Sequence, residues 1–343
     1  MPLSPLLSPL LSAASRGLTS VVTSLLTSGS PVDSRHPPLV KADLKKDGLM
    51  YAGTTALIES SHRGHLAVVK LLINHGASVN LCASSGATPL IAASRSGHRE
   101  VVEALLRKGA AVNRCDNVGA TPLFKSSQNG HIEVVQLLLA SGASVNQSRN
   151  FGATPLLACS QRGHSTVASL LLSAGASVDG PSGTGATPLI VSSFTGRLAV
   201  VRVLLDGGAA VNGANDGGYT PLLLSVRQGH SAVEALLRER VVAARRIAVL
   251  SAVRQVRRGS PGLGRVEKVL TLLADTPDDV VRFILEFLGR EAEGEEEVEE
   301  EGVERCEDDE DDEGEESCGG KVEGDAKADG GEDGGGKRKR VPP

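Results

Sequence analysis

The stretch GATPL begins at Gly86, Gly119, Gly152 and Gly185, and the variants GTTAL at Gly53 and GYTPL at Gly218 fall in the same register. The threonines Thr55, Thr88, Thr121, Thr154, Thr187 and Thr220 are therefore spaced 33 residues apart. A chain of 343 residues would ordinarily divide into about two domains. An internal period overrides that expectation, because repeat arrays grow by adding units to one continuous core. Aromatic residues are 2% of the sequence and Trp is absent, so the core must be packed with Leu, Val, Ile and Ala. Small and branched side chains of this kind suit closely spaced helices.

Residues 86–113 read as one unit. Thr88 offers a capping hydroxyl and Pro89 takes the first helical position, where its missing N–H costs nothing. A short helix from Leu90 is broken by Gly97 after about two turns. Val101, Val102, Leu105 and Leu106 mark a second helix, with Gly109 as its C-terminal cap. The connector to the next GATPL is rich in Gly, Asn, Ser and Asp and predicts a projecting β-turn. Two short helices cannot bury their apolar faces alone, so each unit depends on its neighbours and the period must be kept.

The elements TPL, GH, VV.LLL and GA.VN at this period over residues 50–238 resemble the ankyrin repeat, in six units. The resemblance implies an all-α solenoid of stacked antiparallel helix pairs with projecting β-turns. It also implies a concave face that binds other macromolecules, and neither catalysis nor a cofactor. The chain departs from the pattern in carrying Ile58, Ile91, Phe124, Leu157, Ile190 and Leu223 where most ankyrin repeats carry His after TPL. Apolar contact is expected in place of that histidine's polar network. The fifth unit has Gly196 and Arg197 in place of GH, and the sixth lacks the GA.VN ending. Upstream, residues 10–33 read as a degraded copy, with Gly17 and Gly29 at the breaker positions, so residues 1–33 are expected to form an N-terminal capping repeat. Residues 34–49 are expected to form an inserted, exposed loop.

Beyond the last unit, residues 231–258 hold no Gly or Pro and predict one or two arginine-rich helices. A breaker, GSPGLG, follows at 259–264, then RVEKVLTLLAD, and Thr276 to Asp279 cap a helix over VVRFILEFL that Gly289 ends. That helix is apolar on most sides and must be buried, which makes residues 239–290 a helical C-terminal cap over the open end of the stack. The same stretch is similar to the opening helix of F-box motifs, which dock substrate adaptors onto a ubiquitin ligase. Residues 276–288 thus give an alternative reading, a ligase adaptor. Residues 291–343 carry 23 acidic against 7 basic side chains, a net −16 that leaves +11 on residues 1–290. So acidic a composition cannot offset the entropy of ordering, and a disordered tail is expected. Its closing KRKR, Lys337 to Arg340, has the composition of a nuclear import signal.

Several function classes are excluded by what the motifs lack. The five cysteines form no CxxC pair, which argues against a disulfide framework or zinc cage and for a reducing intracellular setting, cytoplasmic or nuclear. The apolar N-terminus has no positive leading segment and three prolines, and reads as part of the fold rather than a signal peptide. No membrane span is expected, because no apolar run approaches the necessary length. His65, His98, His131, His164 and His230 recur one unit apart, roughly 10 Å if helices stack at usual distances, which is too far for a shared metal. Each is expected to be a turn residue bonding within its own repeat. There is no phosphate loop or nucleophile elbow, so neither an enzyme nor a small-molecule substrate is expected. The expected state is a monomer.

In the family, the fingertips before each GxTPL and the last residues of the first helix line the groove. Here the helix ends contribute His62, Arg63, Arg95, Gln128, Asn129, Gln161, Arg162, Phe194 and Arg227, and the fingertips Phe151 and nearby Tyr219. Four arginines and no acid in the helix-end pairs, with isolated aromatics, predict a groove for an acidic segment of a protein partner. The basic body offers a third reading, association with nucleic acid. The scarcity of aromatics among the basic residues argues against it.

Overall fold

Each threonine of the period starts a helix by capping it. Thr88 Oγ1 accepts the Ile91 amide at 3.2 Å, and Thr55, Thr121, Thr154, Thr187 and Thr220 accept the amide three residues on in the same way. The computed structural model describes residues 9–35 and 53–257. Residues 1–8, the expected loop from residue 36 on, the segment 258–290 and the acidic tail lie outside the described residues. The N-terminal unit is α1 (Pro9–Ser15) and α2 (Thr19–Thr27). The regular units follow as α3 (Ala56–Arg63) with α4 (Leu66–Asn74), α5 (Pro89–Ser96) with α6 (Arg99–Arg107), and α7 (Pro122–Asn129) with α8 (Ile132–Ala140). Then come α9 (Pro155–Arg162) with α10 (Ser165–Ser173), α11 (Pro188–Phe194) with α12 (Leu198–Asp206), and α13 (Pro221–Arg227) with α14 (Ser231–Arg257). No strand occurs among the described residues, and all of them belong to one unit, Met1–Ile284.

The pairs stack because each buries half a core. Val68, Val69 and Leu72 on α4 recur as Val101, Val102 and Leu105 on α6 and as Val134, Val135 and Leu138 on α8, all buried in one cluster that runs from Leu10 to Leu237. A fully buried side chain of this type contributes about 1.5–3 kcal/mol, and the cluster runs on from unit to unit, so a lone pair would leave part of its apolar surface in water. First helices of successive units pack against one another more closely than second helices do, so the first-helix side is the inner side of the array.

Apolar contact does stand where the TPL histidine is missing. Ile58 and Ile91 pack with Ala83, Ala87 and Ala92, and Phe124 and Leu157 with Ala120, Ala153 and Ala158. The serine three residues further along the first helix, at Ser61, Ser94, Ser127, Ser160 and Ser193, is buried too. Ser160 Oγ donates to the Leu156 carbonyl at 2.7 Å, while the other four hydroxyls have no partner. A small side chain fits these buried positions, and each orphaned hydroxyl costs about 1–3 kcal/mol.

Where the sixth unit should turn into a GA.VN loop, α14 instead continues as a single helix through residues 238 and 239. Its 27 residues span about 40 Å. Arg240 Nη2, 2.7 Å from Asp206 Oδ1, ties it to α12. Within α14, Arg238 Nη2 pairs with Glu234 at 2.7 Å.

Candidate partner-binding groove

The inner surface is bounded by two ladders that register the units. At the fingertips, the amides of Asn117, Asn150, Gly183 and Asp216 donate to the carbonyls of Ser85, Val118, Phe151 and Thr184 in the preceding unit, at 2.8–3.3 Å. At the other end of the first helices, about 12 Å away along eight residues, imidazoles perform the same task. His98 Nε2 donates to the His62 carbonyl at 2.9 Å, His131 Nε2 to Arg95 at 2.9 Å, and His230 Nε2 to Phe194 at 3.1 Å. The expectation that these histidines bond within their own repeat is therefore corrected: the ring reaches back one unit. The reason is packing, since the ring lies over the left-handed glycine that ends the preceding first helix. A Cβ on Gly64 would sit 2.5 Å from His98 Nδ1.

Those ladders carry the helix ends to the inner side, one set per unit, but not all remain available. Asn129 Nδ2 donates to the Arg95 carbonyl at 2.7 Å, so Asn129 is partly structural. His62 Nδ1 lies 2.7 Å from Ser96 Oγ. Burial first, then the positive Arg63 and Arg95 and nearby His98, push its imidazole below the ordinary 6.5, partly opposed by a hydrogen bond at the Ala92 backbone. Arg63 Nε bonds Glu59 Oε1 at 2.8 Å, and Glu59 is buried one turn inside the helix. The helix-end pairs contain no acid, yet the first arginine has one beneath it. Arg95 is half-buried and Arg162 exposed, and neither has a carboxylate partner among the described residues. Gln128 is half-buried, and Gln161 is exposed beside Arg162.

Aromatic residues stand at the margins. Phe151 is 89% exposed on its fingertip and holds φ 66°, a left-handed conformation that costs a non-glycine residue about 1–3 kcal/mol. Arg149, two residues earlier, lies over the Phe124 ring at 5.4 Å. Phe194 is exposed on its helix end, and Arg227 lies over the Tyr219 ring at 5.9 Å, a cation–π pair. Lys125 Nζ and Asp116 Oδ2, 3.3 Å apart, form a half-buried pair between fingertip and helix.

Sequence reasoning missed a third ladder on the loop side. Asn80, Asn113 and Asn146 each donate through Nδ2 to a glycine carbonyl of the next unit and accept a loop amide through Oδ1. Asp33 and Asp179 keep only the accepting half, toward Ser78 and Ala210. The signal was present as the last letter of GA.VN recurring with the period. Glu59 carried no such signal, because its counterparts are Ala92, Lys125, Ala158, Val191 and Leu224.

Among the described residues, no group of His, Cys, Asp or Glu is arranged to hold a metal, and no helix is long and apolar enough to cross a membrane. Cys159 is buried, its thiol pushed up to about 12 by burial, while Cys115 is exposed.

No curated protein sequence matched the chain. The family model described as ankyrin repeats matches in three copies, over residues 10–116, 109–182 and 179–245. Among solved structures, the human ASB11 ankyrin repeat domain is similar at 30% identity and a TM-score of 0.59, over 68% of this chain and 98% of that one. Capping threonines, paired helices and fingertip ladder agree with those matches, and the chain belongs to the ankyrin-repeat family.

Proposed function

We propose that this protein-binding scaffold takes an acidic segment of its partner along the inner groove. The single observation carrying the reading is that Arg95, Arg162 and Arg227 stand on first-helix ends of one side with no carboxylate partner among the described residues. Guanidinium groups so placed give charge-assisted, bidentate bonds to carboxylates. Tyr219 lies against Arg227, Phe194 stands on its own helix end, and Phe151 adds an apolar anchor from the fingertip side, while Arg63, already held by Glu59, contributes less.

The test compares binding of poly-glutamate and poly-glutamine of equal length to the full chain and to the triple variant Arg95→Ala, Arg162→Ala, Arg227→Ala. Replacing Arg99, Lys108 and Arg202, on or just after second helices, makes the control with the same charge change. The groove variant is expected to lose affinity by on the order of tenfold or more, with steep salt dependence in the parent and little change in the control. Equal losses in both variants would mean a diffuse charge effect and sink the reading. A duplex oligonucleotide bound more tightly than poly-glutamate would favour the nucleic-acid alternative. The ligase-adaptor alternative rests on residues 276–288, outside the described residues.

A further inference from the structure

At the junction of the fourth and fifth units an arginine, Arg197, takes the place of the repeat's histidine. At four other junctions an imidazole lies over the glycine that ends the preceding first helix and donates to a carbonyl one unit back, at 2.9–3.1 Å. Arg197 keeps only the packing half of that task. Its aliphatic stem lies on Gly163, with Cδ 2.9 Å from the place a Cβ would take. Arg197 is exposed, and among the described residues it makes neither the carbonyl bond nor an ion pair.

Gly163 directly follows Arg162, so the exchange brings a second guanidinium to the helix end that already carries one. The surroundings do not neutralise them. Residues 149–205 hold four arginines, no lysine and a single acid, Asp179, whose carboxylate is taken up by the Ala210 amide. The next acid along, Asp206, pairs with Arg240. Two neighbouring positive charges repel, and an anion that both can reach relieves the repulsion. The other groove arginines without a carboxylate partner are single. The glycine that ends the helix of Arg95 is covered by an imidazole, His131, and nothing covers Gly229 beyond Arg227.

This difference selects between anions. A carboxylate has one charge and two oxygens, which one guanidinium fork serves. A phosphate monoester carries about −1.5 to −2 at neutral pH and three terminal oxygens, which match two forks. We propose that the junction of the fourth and fifth units reads a phosphoserine in the partner's acidic segment, with Arg162 and Arg197 sharing its phosphate. This rests on the groove reading and sharpens it: single arginines take carboxylates along the array, and the arginine pair takes the phosphate.

The test titrates the full chain with three glutamate-rich peptides of equal length that differ at one central position, Ser, Glu or phosphoserine. It is run at about pH 8, where an ordinary imidazole is neutral. The parent should bind the phosphoserine peptide on the order of tenfold or more tighter than either of the others. Arg197→His restores the residue of the repeat and its cover over Gly163, so the array is kept. In that variant the phosphate preference should fall to about twofold or less, while the Ser and Glu peptides bind as they do to the parent. Equal binding of the Glu and phosphoserine peptides to the parent, or a preference that survives Arg197→His, would overturn the proposal. So would displacement of the phosphoserine peptide by an equal concentration of inorganic phosphate, which would make the free anion the ligand. The groove reading fails separately: it falls if the Ser and Glu peptides do not bind, even where phosphoserine binding depends on Arg197.

Discussion

The two ends of the array are finished in opposite ways. The N-terminal unit has lost nearly all of the repeat's letters, yet it keeps the junction. Gly17 takes the place of Gly64 against the next unit's histidine, His65 Nε2 lies 3.1 Å from the Ser15 carbonyl, and Asp33 clamps Ser78. Apart from Leu18 and Val21, its second helix exposes Thr19, Ser20, Thr23, Ser24 and Thr27. The sixth unit keeps GYTPL and the cap at Thr220, yet its far side shows Leu223 and Val226. The two ends therefore keep different things: the N-terminal unit keeps the contacts across its junction without the letters of the repeat, and the sixth unit keeps the letters while its far side is exposed.

The largest break in that comparison should come from the middle. Leu138→Ala removes a fully buried side chain and should cost roughly 2–5 kcal/mol in denaturant unfolding, with hydrogen exchange rising in the flanking units as well. Losses confined to α7 and α8 would contradict coupled stacking. The spacing alone does not separate Leu137 from Leu138, but the fold buries Leu138 and leaves Leu137 partly covered.

The next contrast uses the loop clamps. Asn113→Ala deletes two inter-unit hydrogen bonds, at 3.2 and 2.8 Å, and should cost about 1–3 kcal/mol. Asn212→Ala should cost close to nothing, because the following unit runs on as α14 and Asn212 makes no such bond among the described residues. Equal costs in thermal melts would remove the distinction between interior and end.

A smaller effect of opposite sign is expected in the serine column. Ser94→Ala takes away an unpartnered buried hydroxyl at nearly constant volume and should raise stability by up to about 1 kcal/mol. Ser160→Ala, which deletes a 2.7 Å bond, should not. Stabilisation by both would mean that the orphaned hydroxyls are not what matters.

The smallest expected effect is on pH dependence at the first junction. The folded state holds the His62 pKa below 6.5, so the unfolded chain binds the proton more readily. Stability is then full above pH 6.5 and falls as the pH drops through 6.5 towards the lowered value. His62→Gln should flatten that part of the melting-temperature profile, and an unchanged slope would assign it to other groups.

The fold was legible because period, capping threonine, breaker glycine and apolar spacing all point to one architecture. The groove was legible only in outline. Helix-end positions follow from the repeat, but whether a charge there is free depends on what lies one turn inside, as with Glu59 beneath Arg63. The reach of the histidines into the preceding unit was likewise hidden, since a local turn and an inter-unit bond demand the same residue at the same spacing. Phe151 was visible as a fingertip aromatic, but its left-handed backbone was not, because the corresponding described positions, Ser85, Val118, Thr184 and Gly217, hold no positive φ.

The central claim is that partner recognition occurs on the inner side of the first helices. A hydrogen-exchange footprint of the full chain, with and without poly-glutamate, tests it most directly. The account predicts new protection at the C-terminal ends of α5, α9 and α13 and at the fingertips around Asn117 and Phe151, with α6, α8 and α10 unaffected. Protection on those second helices, with none at the first-helix ends, would contradict it.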